Sequence, residues 1–238
     1  MLYPILTESR AILDLNGVWD FLLAKENTVV DVTRPLETKD VMAVPGSYND
    51  QGALDEIRFH VGDVWYEREF SLPKSLMNER LVLRFGSVTH HATVYVNGKE
   101  VVTHEGGFTP FEVAINDIVT VGKNRLTLKV NNVLDYSTLP VGVYKEYYDE
   151  DLKKTVRKNN PNFDFFNYAG IHRPVKIYTT PDDYIEDLIF AFDVDEKNAH
   201  IHPKVKTVGS FDEVKITPLD EKGEVLATSN EHEETYTI

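Results

Sequence analysis

Apolar residues in this chain recur at every second position rather than every third or fourth, which is the period of a half-buried strand and not of an amphipathic helix. Val64, Tyr66 and Phe70 share one face with Arg68, leaving Trp65, Glu67 and Glu69 on the other. Leu81, Leu83 and Phe85 alternate with Arg80, Val82 and Arg84, and Leu126, Leu128 and Val130 with Arg125, Thr127 and Lys129. Between β-rich arms, Asn97-Gly98 supplies the two positive-φ residues of a type I′ turn and predicts a hairpin. Short helical turns are plausible around Lys74 to Asn78 and Asn116 to Val119, and no long helical stripe or fixed-period repeat exists. Strands with one apolar face must bury it against a second layer, so the expected class is all-β, built as a β-sandwich.

Val175-Lys-Ile-Tyr-Thr-Thr reads as a closing strand and Pro181-Asp-Asp as a polar break, which predicts a first domain over residues 1–181. Residues 182–238 carry four strand patterns, Ile185 to Phe192, Ala199 to Val208, Glu213 to Pro218 and Glu224 to Thr228, with Asp220-Glu-Lys-Gly as a hairpin turn. An immunoglobulin-like sandwich needs about seven strands. The second piece is therefore expected to be an incomplete sandwich with unpaired edges and an uncovered face. The natural polypeptide is expected to continue past Ile238.

Charge and composition remove several functions. The 238 residues hold 25 Lys plus Arg against 39 Asp plus Glu, a net charge of −14, which opposes a polyanion and argues against nucleic acid. Apolar runs such as Leu188 to Phe192 are bounded by charge and fall far short of the roughly 20 residues a membrane span requires. The first ten residues lack a basic region followed by an apolar one, so no secretory signal is visible. Zero Cys removes disulfides, thiol nucleophiles and Cys-based metal sites, and fits a reducing compartment such as the bacterial cytoplasm.

Candidates for chemistry are few. Glu67 and Glu69 stand on one strand face about 7 Å apart, within the carboxylate spacing of about 5 to 9 Å that glycoside hydrolysis uses. An outward-facing acidic pair is more commonly just solvated, as is the run Asp149-Glu-Asp151. His200-x-His202 can place two rings on one metal, but no third ligand lies near in sequence, so surface histidines are the default and no metal is assigned. Adjacent His90 and His91 point to opposite faces of a strand, one buried and one wet. No phosphate loop, dinucleotide fingerprint or Gly-x-Ser-x-Gly elbow occurs. The glycines of Glu105-Gly-Gly-Phe-Thr-Pro precede a strand, where they permit a tight turn or close packing.

The most unusual stretch is Asn159-Asn-Pro-Asn-Phe-Asp-Phe-Phe-Asn-Tyr-Ala-Gly-Ile-His-Arg-Pro, which sets one Asp among aromatics and asparagines without clean alternation. Irregular segments of this kind meet ligands, because aromatic faces stack on sugar rings. An inter-domain plug is an equally good reading from composition alone. The charged stretch Val141 to Lys158 before it is expected to be an irregular loop near a pocket mouth.

Val44-Pro-Gly-Ser-Tyr-Asn-Asp-Gln, Val64-Trp-Tyr-Glu-Arg-Glu-Phe, Leu83-Arg-Phe-Gly-Ser-Val-Thr-His-His, Val96-Asn-Gly-Lys-Glu-Val, His104-Glu-Gly-Gly-Phe-Thr-Pro-Phe-Glu and Asp164-Phe-Phe-Asn-Tyr-Ala-Gly-Ile-His-Arg together resemble the N-terminal part of bacterial β-glucuronidases of glycoside hydrolase family two. The opening blocks also suit related β-galactosidases and β-mannosidases, whereas the last block is most similar to the glucuronidases. The resemblance implies a jelly-roll sugar-binding domain, here 1–181, then an immunoglobulin-like sandwich, here 182–238, and then a (β/α)₈ barrel that carries two catalytic glutamates. The barrel's motifs do not occur in these residues, so no catalytic residue is carried over, no cofactor is implied, and the chain alone is expected to be inert. The matching position for the family's sugar-facing aspartate is Asp164, and Phe163 stands where the family pattern has His. The implied partners are a β-glucuronide substrate, reached through the barrel, and further copies of the protein in a tetramer. A free-standing carbohydrate-binding module is the competing reading.

Overall fold

The computed structural model describes residues 2–196, 198–226 and 236–237. It divides into two compact units, one of residues 11–179 and one of residues 1–10 with 180–238.

The first unit is a two-layer sandwich. One layer is a six-stranded sheet, in spatial order Asp40–Val44, Gly17–Leu23, Asp63–Leu72, Gly122–Asn131, His91–Val96 and Lys99–Glu105. The other has four strands, Ile12–Asp14, Val175–Thr180, Arg80–Phe85 and Phe111–Ala114. The alternation read from sequence sets the register between them. Val64, Tyr66, Leu126 and Leu128 from the larger sheet bury with Leu81, Leu83, Phe85 and Ile177 from the smaller, around Trp19 and Phe21. Tyr66 meets Phe21 edge-on at a centroid distance of 5.1 Å, a favoured aromatic geometry. Asn97 and Gly98 both have positive φ, 51° and 80°, as the type I′ hairpin turn requires. This matches the expected class, an all-β jelly-roll sandwich followed by part of an immunoglobulin-like one.

The second unit holds the antiparallel pair Tyr184–Val194 and Ala199–Val208, with Tyr236–Thr237 added against the latter. A bulge between Ile185 and Asp187 shifts the register. Asp220 accepts the Gly223 N–H at 3.0 Å, closing the predicted turn. Glu213 to Pro218 is not a strand; the backbone there is irregular and the nearest pairing is one isolated bridge, Leu219 with Val225. Pro218, which cannot donate to a ladder, ends the alternating run. The strand expected at Glu224 to Thr228 lies partly outside the described residues.

Other expectations need correction. Lys74–Leu76 is a 3₁₀ turn as expected, and Asn116 to Val119 is a hydrogen-bonded turn without a helix. Two one-turn helices, Tyr48–Gln51 and Asp55–Arg58, form where the sequence showed none. Gln51 makes the first possible by gripping Ala43, accepting its N–H at 2.7 Å and donating to its carbonyl at 3.0 Å. The charged stretch expected to be an irregular loop is a regular hairpin, Gly142–Asp149 with Lys154–Pro161. Apolar and charged residues share both faces of that ribbon, so no clean apolar period marks it; its strands pair through the backbone ladder, to which the cross-strand contact of Arg157 Nε with Glu146 at 3.0 Å is added.

Candidate functional site

Residues 162–169, the aromatic stretch singled out from sequence, leave the hairpin strand Lys154–Pro161 and re-enter the fold at Gly170–Ile171, which pairs with Gly46–Ser47. The loop has almost no hydrogen bonds of its own; four asparagines brace it. Asn49, buried, accepts the Ala169 N–H at 2.8 Å and donates to the Arg58 carbonyl at 2.8 Å. Asn132, buried, donates to Tyr48 Oη at 2.7 Å and to the His60 carbonyl at 2.9 Å, while its side-chain oxygen takes the Gly62 N–H at 2.9 Å. Its backbone carbonyl receives both Asn159 Nδ2 and Asn167 Nδ2, at 2.8 and 2.9 Å. An amide that donates and accepts at once suits such a junction, because it can satisfy backbone donors and acceptors together. Burial among these groups pushes the Tyr48 hydroxyl well above its ordinary range.

Asn167, within the loop, also fixes a histidine. Its amide nitrogen is spent on Asn132, so its oxygen faces His90 Nε2 at 2.6 Å, and that nitrogen carries the proton. Burial lowers the His90 pKa, more strongly than the Asn167 contact raises it, so the ring is neutral. Gly107 packs over the remaining nitrogen: a Cβ there would fall 2.8 Å from His90 Nδ1. Gly107 is thus a close-packing device, while Gly106, at φ +126°, opens the turn in which its carbonyl accepts the Thr109 N–H at 3.3 Å, so the pair serves both uses expected of it. His172 sits beside Thr89, Nδ1 to Oγ1 at 3.2 Å, while Thr89 donates to the Gly107 carbonyl at 3.0 Å. Its pKa is also lowered by burial. His60 donates Nε2–H to the Asp63 carbonyl at 2.9 Å and is pushed down by burial in the same way.

Beside the loop lies a cavity of about 380 Å³, within the size range of small-molecule sites. Phe59 and Phe166 meet edge-on across it at 6.3 Å, and the Arg58 guanidinium lies over both rings, 6.0 and 5.3 Å from their centroids. Phe165, next to Asp164, is also in its wall. Asp164 itself is exposed, and its carboxylate has no hydrogen bond or ion pair among the described residues.

The other candidates separate clearly. Glu67 is not solvated as expected but 4 % exposed, accepting from Thr127 Oγ1 at 2.7 Å and the Leu36 N–H at 2.8 Å with Arg125 Nε 3.4 Å away. The loop before Asp40 covers that strand face, which alternation alone cannot show. Glu69 is exposed and paired with Lys123 at 2.9 Å. Asp149 ends the strand Gly142–Asp149 and Asp151 is in the turn that follows. His200 and His202 lie near different carboxylates, Asp195 at 3.3 Å and Asp193 at 3.4 Å, and among the described residues no cluster of three metal-ligating side chains exists. His90 is buried, but in a bend just before the strand His91–Val96, and His91 is half-buried, so the contrast does not come from two adjacent strand positions. Sequence reading missed Asn49, Arg58, His60 and Asn132, which sit far from the aromatic stretch; only its unusual density of asparagine hinted at a braced loop.

Residues 12–181 match the family described as glycosyl hydrolases family 2, sugar binding domain. The chain belongs to glycoside hydrolase family 2. It is 43 % identical over 236 residues to a β-glucuronidase of Streptococcus agalactiae, covering 97 % of this chain and 38 % of that protein. It is 37 % identical over 246 residues to the human β-glucuronidase, covering 95 % and 38 %. Among solved structures, a β-glucuronidase from an uncultured Clostridium aligns over all of this chain and 40 % of its own, with a TM-score of 0.83 and 43 % identity. A Ruminococcus gnavus β-glucuronidase in complex with D-glucaro-δ-lactam aligns over 99 % and 40 %, with a TM-score of 0.84 and 33 % identity. The family 2 chain therefore spans about two fifths of the length of these relatives. Its sandwich is the family's sugar-binding domain, and the braced aromatic loop is inside the matched region.

Proposed function

We propose that this chain is the non-catalytic sugar-binding part of a retaining β-glucuronidase, and that Asp164 accepts a hydrogen bond from a hydroxyl of the glucuronide ring. The observation that carries the reading is an exposed carboxylate without an internal partner, held on a loop that four asparagines lock to the sandwich. A preformed ionised acceptor binds a hydroxyl with a charge-assisted bond, and rigid placement spares the cost of ordering it on binding. The division of labour is supported by the state of the strand-borne pair: Glu67 is consumed by internal hydrogen bonds and Glu69 by Lys123, so neither is disposed as an acid or nucleophile. Chemistry belongs to glutamates of a barrel domain, with residues 1–181 as the sugar-binding domain and 182–238 as part of an immunoglobulin-like one. Assembly as a tetramer and residence in a reducing compartment such as the cytoplasm complete the proposal; the lack of cysteine favours the latter. No helix among the described residues is long and apolar enough to cross a membrane. The purified 238-residue chain should leave a chromogenic β-glucuronide intact. Turnover that persists after a second, orthogonal purification would overturn the assignment.

A further inference from the structure

The cavity beside the loop carries a charge bias opposite to that of the whole molecule. In a chain with net charge −14, its wall holds Arg58, Arg157 and Lys158 and no aspartate or glutamate. A larger neighbouring cavity of about 790 Å³ shares Arg157 and adds Lys25, Lys153 and Lys154, but Glu26, Asp55 and Glu56 in its wall offset most of that charge. Two of the three cations have outside partners, Arg58 with Asp50 at 3.7 Å and Arg157 with Glu146 at 3.0 Å. Lys158 has none among the described residues, and the hairpin register sets it opposite another cation, Lys145. The surplus positive charge thus centres on the strand Lys154–Pro161.

The rest of the wall is apolar or self-satisfied. Phe59, Phe165 and Phe166 present rings, while the amides of Asn49, Asn132, Asn159 and Asn167 are engaged with the backbone around them. Recognition therefore falls on cations and ring faces together. An aromatic floor takes the C–H face of a pyranose and a cationic rim takes a carboxylate, the combination that polar and apolar groups make in small-ligand sites. We propose that this cavity binds a monosaccharide uronate, with its carboxylate toward Lys158 and Arg58 and its ring against Phe59 and Phe166. The inference goes beyond the assignment made above, because none of its contacts uses Asp164.

A chemical-shift titration of the 238-residue chain tests it, with D-glucuronate and the neutral D-glucose as probes. Glucuronate should saturate on the order of millimolar, perturbing Phe59, Phe166 and Lys158, and should weaken as salt screens the charges. Glucose should bind at least about tenfold more weakly. Lys158→Glu should abolish the preference for the anion, and the milder Lys158→Gln, at an exposed position that does not threaten folding, should reduce it. Lys123→Gln, which removes an exposed cation outside this wall, should leave it intact, whereas a fall in glucuronate binding on Asp164→Asn with the preference over glucose retained would bear on the Asp164 assignment alone. Equal binding of the two sugars, no saturation by glucuronate up to about 100 mM, or an unchanged preference in Lys158→Glu would overturn it.

Discussion

Among single residues, the most consequential departure from the sequence reading is Glu67. Alternation places it on the outward face of its strand, correctly, but the segment ahead of Asp40 folds over that face and buries it. Strand period reports which side a residue takes and is silent on what later covers that side. Removing one partner of a buried, hydrogen-bonded pair leaves the other uncompensated. Glu67→Ala strands Arg125, the Thr127 hydroxyl and the Leu36 N–H, and should cost about 3 kcal/mol, read as a lower denaturant midpoint at constant slope. Glu67→Gln, which still accepts, should cost less. A loss below about 1 kcal/mol in the alanine variant would show the network to be idle. The histidines give a pH dependence. His60, His90 and His172 are each lowered from the ordinary value of 6.5 by burial. As pH falls through 6.5 the unfolded chain takes up protons that the folded chain refuses, so stability present above that pH declines below it. Melting temperature should drop between pH 7 and 5.5, and His90→Gln should flatten the slope; a flat wild-type profile would contradict the neutral, buried rings.

Elements were legible in proportion to how one-sided they are. Strands with one apolar face, such as Asp63–Leu72 and Gly122–Asn131, showed their period directly, and Asn97-Gly98 announced its turn. The hairpin Gly142–Pro161 did not, because valines, tyrosines and charged residues are mixed on both its faces and leave no apolar period. The aromatic loop was recognisable as unusual, but its braces come from residues 49 and 132, remote in sequence and brought near only by the sheet. Gly170 ends that loop with φ +127°, and a Cβ there would lie 2.9 Å from Tyr66 Oη and 3.0 Å from the Gly46 carbonyl. Gly170→Ala should therefore cost about 1–3 kcal/mol and expose to exchange the Thr89 N–H that its carbonyl receives at 3.0 Å. Retained protection in that variant would mean the loop is anchored elsewhere.

For the whole molecule, we propose a division of labour in which a rigid sandwich presents Asp164 to a sugar and bond cleavage is left to groups outside this chain. Fold class and the sugar-binding domain followed from alternation, turn chemistry and the motif blocks, since these act over short stretches of sequence. The cationic cavity was not foreseen, because its wall is drawn from residues 49 to 167 and a net charge of −14 says nothing about where the minority cations gather. The most direct measurement replaces the matching segment of the Streptococcus agalactiae β-glucuronidase, 43 % identical over 236 residues, with this chain, and compares it with the same chimera bearing Asp164→Asn. Loss of one charge-assisted hydrogen bond to the ring predicts a fall of about ten- to a hundredfold in kcat/KM for a β-glucuronide, with the fold unchanged by circular dichroism. Equal kcat/KM in the two chimeras would show that Asp164 does not touch the sugar.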